Sequence, residues 1–153
     1  MFDEVTVYHR SELRTRYGET DQMGIVWHGN YLYYFEIGRT ELLRSAGLPY
    51  ADIESRGVIF PVIETALHFK SPARYDDLLY IHTTATIRRS PILHLDYAIT
   101  RKEDDGTETP IVHGHTKLAF AQTGTVKPIR PPQWFYDALT IYAQENQQRN
   151  LSQ

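Results

Sequence analysis

Residues 31–46, YLYYFEIGRTELLRSA, constrain this chain more than any other stretch. Leu32, Phe35, Leu42, Leu43 and Ala46 recur near helical spacing, Gly47 supplies a stop, and Pro49 follows two residues later. The opening half, YLYYFEI, is apolar nearly all round, and a helix of that kind is enclosed by other structure rather than laid on a surface. Apart from a short second helix at 49–56 closed by Gly57, and a polar helix near 133–148, the chain reads as strand. Any enclosure of the apolar helix therefore has to come from a sheet.

The strand signals are long. They cover about 5–17, 58–70, 78–90, 92–102 and 110–121. In the third, Leu79, Ile81, Thr83, Ala85 and Ile87 alternate with Tyr80, His82, Thr84, Thr86 and Arg88. In the fourth, Leu93, Leu95, Tyr97 and Ile99 face away from His94, Asp96 and Thr100. Such alternation marks antiparallel strands with one buried face. Ser90-Pro91 predicts a tight hairpin and EDDGTETP a looser one. One sheet and one apolar helix can bury both only if the sheet curls around the helix, an α+β arrangement known as the hotdog fold. The expectation is a single domain over 1–153, with its core at about 9–140 and a polar helix and tail after 132.

Composition narrows the function classes. A net charge of -3 and a pI near 6.1 give no general attraction to nucleic acid or an anionic membrane, so an anionic ligand would need a local basic rim. The absence of cysteine removes thiolate catalysis and cysteine metal sites. The N-terminal MFDEVTVYHR lacks the basic start and apolar run of a secretion signal, and no apolar stretch approaches a membrane span. A soluble cytoplasmic protein is expected.

Chemistry concentrates in GETDQMGIVWHGNY, residues 18–31. Asp21 precedes His28 by seven positions, and the apolar helix begins at once. If Gly29 or Asn30 caps that helix, its first-turn N–H groups and dipole can hold a carbonyl oxygen that gains charge under attack. Gly24 and Gly29 allow tight backbone geometry there. Asp21 could then act as nucleophile or as general base on water, and His28 could orient the carbonyl or handle protons. An aspartate in such a loop more often serves turn geometry, so the spacing by itself decides little.

The pattern Y-x-x-x-D-x-x-G-I-V-x-H-x-N-Y, from Tyr17 to Tyr31, resembles the signature of the 4-hydroxybenzoyl-CoA thioesterase family, closest to its YbgC-like branch. The order of helices and strands is similar to that family's hotdog fold over about residues 9–140. The resemblance implies an acyl-CoA thioesterase with Asp21 as catalytic carboxylate and His28 and Tyr17 as further active-site residues. Asn30 and Tyr31 fall where the family's central helix begins. Glu36 has a counterpart in many members, and its bland reading is a buried acid paired with Arg39 or a neighbouring subunit. The implied acyl pocket is lined by Ile25, Val26, Trp27 and Tyr31, with Phe60 and Val62. A rim for coenzyme A is expected from Lys70 and Arg74 in HFKSPAR, Arg88, Arg89 and Ser90 in IRRSPI, and Arg130 in PIRPP. Solvated edge-strand charge is the competing reading for each.

No metal or organic cofactor is implied beyond coenzyme A within substrate and product. His113 and His115, two apart on a strand, point to one face and could ligate a metal, but no acid clusters with them in sequence. Homodimers with a continuous sheet, or homotetramers, are expected, with the active site at the dimer interface. Two other functions stay open: hydrolysis of thioesters on acyl carrier protein, and a binding domain without turnover.

Overall fold

β1 (Val5–Arg14) leads through a 3-10 turn at Tyr17–Glu19 to α1 (Asn30–Ser45) and α2 (Tyr50–Ser55). The rest is β2 (Val58–Ile59), β3 (Val62–Phe69), β4 (Leu78–Ile87), β5 (Ile92–Lys102), β6 (Glu108–Ala119), β7 (Ala121–Gln122) and α3 (Gln133–Leu151). This computed structural model describes residues 3–151, so the first two and last two positions of the expected domain lie outside the described residues. Five strands form one antiparallel sheet in the order β1-β4-β5-β6-β3. β2 and β7 make a separate two-stranded ladder.

The alternation read from the sequence sets the two faces. Leu79, Ile81, Ala85 and Ile87 of β4, and Leu93, Leu95 and Ile99 of β5, are buried against α1. From α1 come Tyr31, Tyr34, Phe35, Leu42 and Leu43, all buried. The ring of Phe35 stacks on Tyr97 at 4.2 Å and 4°. Fully burying side chains of this size contributes roughly 1.5–3 kcal/mol each, which makes the helix–sheet layer the principal stabilising contact. This curled sheet over one long helix is the hotdog arrangement.

The structure departs from the sequence reading in four places. The helix is not enclosed all round: Leu32 is 41% and Tyr33 53% exposed, because five strands curl over one side of α1 only. The strand expected over 58–70 breaks at Phe60-Pro61, where proline has no N–H to give a ladder and its carbonyl accepts from Ala119 instead. β1 ends at Arg14, and Thr15 turns inward to donate its hydroxyl to the Arg74 carbonyl. The last helix runs on to Leu151 and is not wholly polar. Its Phe135, Leu139 and Tyr142, spaced to one helix face, are buried beside β1 and Phe120.

β1 and β3 are the sheet edges. β3 exposes Val62, Ile63 and Phe69, each more than half accessible. An uncovered apolar edge is a template for pairing with another strand.

Candidate active site

The loop from Asp21 to Gly29 is built from the backbone up. The Asp21 N–H donates to the Ile25 carbonyl at 2.8 Å, and Gly24 N–H returns to the Asp21 carbonyl at 2.9 Å. Gly24 sits at φ +77, a conformation that costs a residue without a side chain little. The Asp21 carboxylate accepts the Met23 N–H at 2.9 Å, so the turn reading of this residue is present in the structure. Ile25 then bridges to Arg74, and Val26 N–H donates to the Ala73 carbonyl at 2.8 Å, fastening the loop to residues 73–74.

Glu19 ties this loop to α1. Its carbonyl accepts from Trp27 N–H at 2.9 Å and from the Asn30 side-chain amide at 2.8 Å. Its carboxylate accepts from Arg16 N–H at 2.7 Å and from the Tyr34 hydroxyl at 3.0 Å. Burial, and then the adjacent Glu19 carboxylate, push the Tyr34 phenol well above its ordinary range. Sequence reasoning passed over Glu19, although it lies inside the quoted motif two residues before Asp21.

Gly29 is the cap of α1, and a side chain there would strike the Trp27 indole at 2.2 Å. Asn30 does not cap, since its amide is spent on Glu19. The Asn30 N–H is committed to the Trp27 carbonyl at 2.9 Å, whereas the Tyr31 N–H makes only a long bond of 3.4 Å to His28. Of these two donors, Tyr31 is the one weakly held. A turn over residues 27–30 closes ahead of the helix and takes up the Asn30 donor.

Asp21, His28 and Tyr31 line one cavity of about 520 Å³ that opens to solvent. Met23, Ile25, Val26 and Phe69 give it apolar walls, and Lys70, Ser71 and Pro72 complete it. The Tyr31 ring lies 6.0 Å from Phe69, and its hydroxyl accepts from Ala73 N–H at 3.4 Å. Burial raises the Tyr31 phenol above its ordinary value, so it stays protonated at neutral pH. Met23, Phe69, Ser71 and Pro72 had no signal in the sequence, because each enters from a turn or strand end whose direction only the fold fixes.

Other expected site residues lie elsewhere in the chain. Trp27 is half exposed, with its ring 5.0 Å from His28, and does not line the cavity. Phe60 packs with Phe120 and Phe135 beneath α3, drawn there by the break at Pro61. Val62 sits on the open edge of β3. Tyr17 is 78% exposed and meets Tyr75 edge-on at 5.6 Å, outside the cavity. Glu36 is exposed rather than buried, and Arg39 bonds the Tyr50 hydroxyl instead of it.

Among the expected basic residues, Lys70 lines the cavity and Arg74 is exposed just beyond it. Arg88, Arg89 and Ser90 follow the far end of β4, roughly 30 Å along a strand that rises about 3.4 Å per residue. Arg88 there pairs with Glu4 at 2.7 Å. Arg130 is exposed at that same end, next to Ile129, whose N–H donates to Phe120. His115 Nε2–H donates to the Glu64 carboxylate at 2.7 Å, and His113 stacks on His68. Among the described residues, no three His, Asp or Glu side chains converge as a metal site would need, and no helix is long and apolar enough to cross a membrane.

Comparison with known proteins decides the family. The model of the thioesterase-like superfamily matches residues 15–139. The chain belongs to the thioesterase-like superfamily. Within it, the chain is 45% identical over 74 residues to the putative acyl-CoA thioesterase YneP of Bacillus subtilis, covering 48% of this chain and 54% of that protein. It is 32% identical over 99 residues to the acyl-CoA thioester hydrolase YbgC of Escherichia coli, covering 65% of this chain and 74% of that protein. The match to YneP thus spans about half of that relative's length. A DHNA-CoA thioesterase of Staphylococcus aureus superposes with a TM-score of 0.78 at 29% identity, over 95% of each chain.

Proposed function

We propose that this protein hydrolyses acyl-CoA thioesters to a carboxylic acid and coenzyme A in the cavity at the N-terminus of α1. The observation that carries the reading is the meeting of Asp21, His28 and the first turn of α1 in one apolar-walled cavity. The thioester carbonyl lies at the helix end, where the weakly held Tyr31 N–H and the helix dipole stabilise the developing oxyanion. Asp21 either takes a proton from water as that water attacks the carbonyl carbon, or attacks the carbon itself to form an anhydride that water then opens. In both routes the carbon–sulfur bond breaks, the thiolate departs and is protonated, and one water is consumed. His28 positions the carbonyl or the leaving sulfur. No cofactor enters either route.

The protein acts as a homodimer joined along β3, on this reading, and as a homotetramer at higher order. The exposed Val62, Ile63 and Phe69 support this edge as the joint. Antiparallel pairing of two such edges sets the end of one sheet that carries Arg88, Arg89 and Arg130 toward the cavity end of the other. It also places Phe69, and the cavity it lines, at the joint.

The test is thiol release from short, long and aromatic acyl-CoAs, with Asp21→Asn as control. Asparagine keeps the oxygen that accepts Met23 N–H, so the turn persists while the acid is lost. A fall in kcat of roughly 10²–10⁴-fold is expected. Full activity in Asp21→Asn would refute the mechanism. Turnover of acyl carrier protein thioesters alone would move the substrate to that class, and binding without turnover would make this a binding domain. Single turnover in heavy-oxygen water separates the two routes, since only the nucleophile route labels Asp21.

A further inference from the structure

Four strands bring a tyrosine, a histidine and a glutamate together on the sheet face turned away from α1. Tyr8 lies on β1, His82 on β4, Thr100 on β5 and Glu108 at the start of β6. Their neighbours Val7, Ile81 and Ile99 are buried on the opposite face, as strand alternation requires. The Tyr8 hydroxyl lies 2.5 Å from His82 Nδ1, and His82 Nε2 lies 2.7 Å from the Glu108 carboxylate. The Thr100 hydroxyl donates to the same carboxylate oxygen at 2.5 Å. The Tyr8 and His82 rings stack at 5.9 Å and 19°. None of these four residues lines the cavity that holds Asp21.

The proton positions follow from what each atom can do. A carboxylate only accepts, so His82 Nε2 carries the hydrogen given to Glu108, and Nδ1 is left to accept the phenol O–H. Glu108 is ionised at neutral pH, since hydrogen bonds from Thr100 and then His82 hold it below the ordinary carboxylate range. Burial raises the Tyr8 phenol above its ordinary value, Arg10 works against this, and Glu108 adds to it. The phenol therefore keeps its proton until a base takes it. A hydroxyl aligned on a histidine whose far nitrogen is held by a carboxylate is the arrangement that activates a weak nucleophile.

The group is open to solvent, with Tyr8 48% exposed. Arg10, two residues along β1 on the same face, stands opposite His82 in the β1–β4 register. Its guanidinium lies 4.3 Å over the Tyr80 ring, and among the described residues it makes no ion pair. Its charge reaches both Tyr8 and Glu108. Tyr8 and Arg10 also line a groove of about 480 Å³ between β1 and α3, which leaves room for a small molecule beside them.

We propose that Tyr8 is a base-assisted nucleophile, separate from the candidate active site, that takes an acyl group from a small activated ester onto its phenol oxygen. The phenol oxygen attacks the ester carbonyl carbon while His82 Nδ1 takes its proton, and the Arg10 cation stabilises the oxyanion. The carbon–oxygen bond to the leaving group breaks, the departing oxygen accepts the proton from His82, and an acyl-tyrosine ester remains. Glu108 is a positioning residue: it keeps the hydrogen on Nε2 and so the lone pair on Nδ1. The reaction needs neither Asp21 nor coenzyme A.

The probe is p-nitrophenyl acetate, with the acetyl group located by mass spectrometry of proteolytic peptides and N-acetyltyrosinamide as the free-phenol reference. The full chain should acetylate Tyr8 at least about 10²-fold faster than the reference. The rate should rise between about pH 5 and 8, where an imidazole gives up its proton. Tyr8→Phe removes one oxygen, keeps the ring on His82, and should lose the label. His82→Gln should slow labelling about 10²-fold and move the rise to about pH 10 and above, where a phenol ionises unaided. Glu108→Gln removes the charge beside a protonated His82, so labelling should slow about tenfold and its rise should begin at lower pH. Asp21→Asn should label at the rate of the full chain, and circular dichroism checks the folding of each variant. Labelling of Tyr8 no faster than the reference overturns the proposal, as does a His82→Gln rate and pH profile like those of the full chain. Loss of the label in Asp21→Asn overturns the separation of the two sites, and an unshifted profile in Glu108→Gln overturns its positioning role.

Discussion

Removing the Glu19 carboxylate tests whether the active-site loop is held to α1 as the geometry implies. Glu19→Ala takes acceptors from Arg16 N–H and from the Tyr34 hydroxyl. Arg16 is exposed, so its N–H turns to water at little cost. Tyr34 is fully buried and loses the acceptor of its hydroxyl. A hydrogen bond to a charged acceptor contributes about 1.5–3 kcal/mol, and a buried donor left unsatisfied costs about 1–3 kcal/mol. These describe one loss from two sides, so Glu19→Ala should destabilise by roughly 1–3 kcal/mol. At about 2–4 °C per kcal/mol for a chain of this size, that lowers Tm by roughly 2–12 °C. Glu19→Gln keeps an oxygen for Tyr34 and should lose less. The assay is a double-mutant cycle with Tyr34→Phe by urea unfolding. Removing both partners should cost less than the sum of the single changes, with a coupling of at least about 1 kcal/mol. Additivity within about 0.3–0.5 kcal/mol would refute the link. Because the link fixes the start of α1 relative to Asp21, Glu19→Ala should also lower kcat, by up to about 10²-fold, with little change in KM.

His9 faces the interior, its Nδ1 is buried without a partner, and burial holds its imidazole below the usual value. The unfolded chain therefore binds its proton more readily, so this stability is present above about pH 6.5 and is lost as pH falls through the depressed folded value. His9→Gln should flatten urea-midpoint curves in that window, while loss below about pH 4.5 persists, because the hydrogen bonds from Thr100 and then His82 hold Glu108 below the ordinary carboxylate range. A His9→Gln curve as steep as wild type near pH 6 counts against this. Phe35→Ala removes the ring stacked on Tyr97 and should cost about 3–5 kcal/mol by denaturant unfolding. Gly29→Ala drives its Cβ into the Trp27 indole, which is exposed enough to swing aside, so tryptophan emission should change while stability moves by less than about 1 kcal/mol.

The fold was legible where one periodicity ruled a long segment. β4 and β5 show their buried faces at every second residue, and α1 shows its apolar stripe, so both the sheet and the helix inside it follow from the pattern. The break at Pro61 was readable in principle, since proline cannot supply a ladder N–H, but the apolar run on both sides of it masked the stop. The exposed Leu32 and Tyr33 were not readable. An apolar all-round helix says that its faces must be covered, and it does not say whether by its own sheet or by something else.

The site divides along the same line. Asp21, His28 and Tyr31 stand within eleven residues of one another, so local spacing brought them into a single reading, and the fold brings them to one cavity. Phe69, Ser71 and Pro72 reach that cavity because Val26 is hydrogen-bonded to Ala73, a contact across 47 residues that no local pattern encodes. Thr15, bonded to Arg74 and Asp77, draws Arg74-Tyr75 beside Arg16-Tyr17, while the hairpin arginines stay at the other end of β4. Basic residues could be counted in the sequence, but their distance from Asp21 depends on which strand end each occupies. Long-range bonds to residues 73–77 therefore settle both the wall of the candidate cavity and which guanidinium groups stand near it in the chain. Displacing them, by lengthening the turn at Ser71-Pro72, should impair acyl-CoA turnover through kcat and KM together, because the wall and the loop move as one. A change confined to KM would show that the loop holds its place without residue 73, and would break the argument that joins the two.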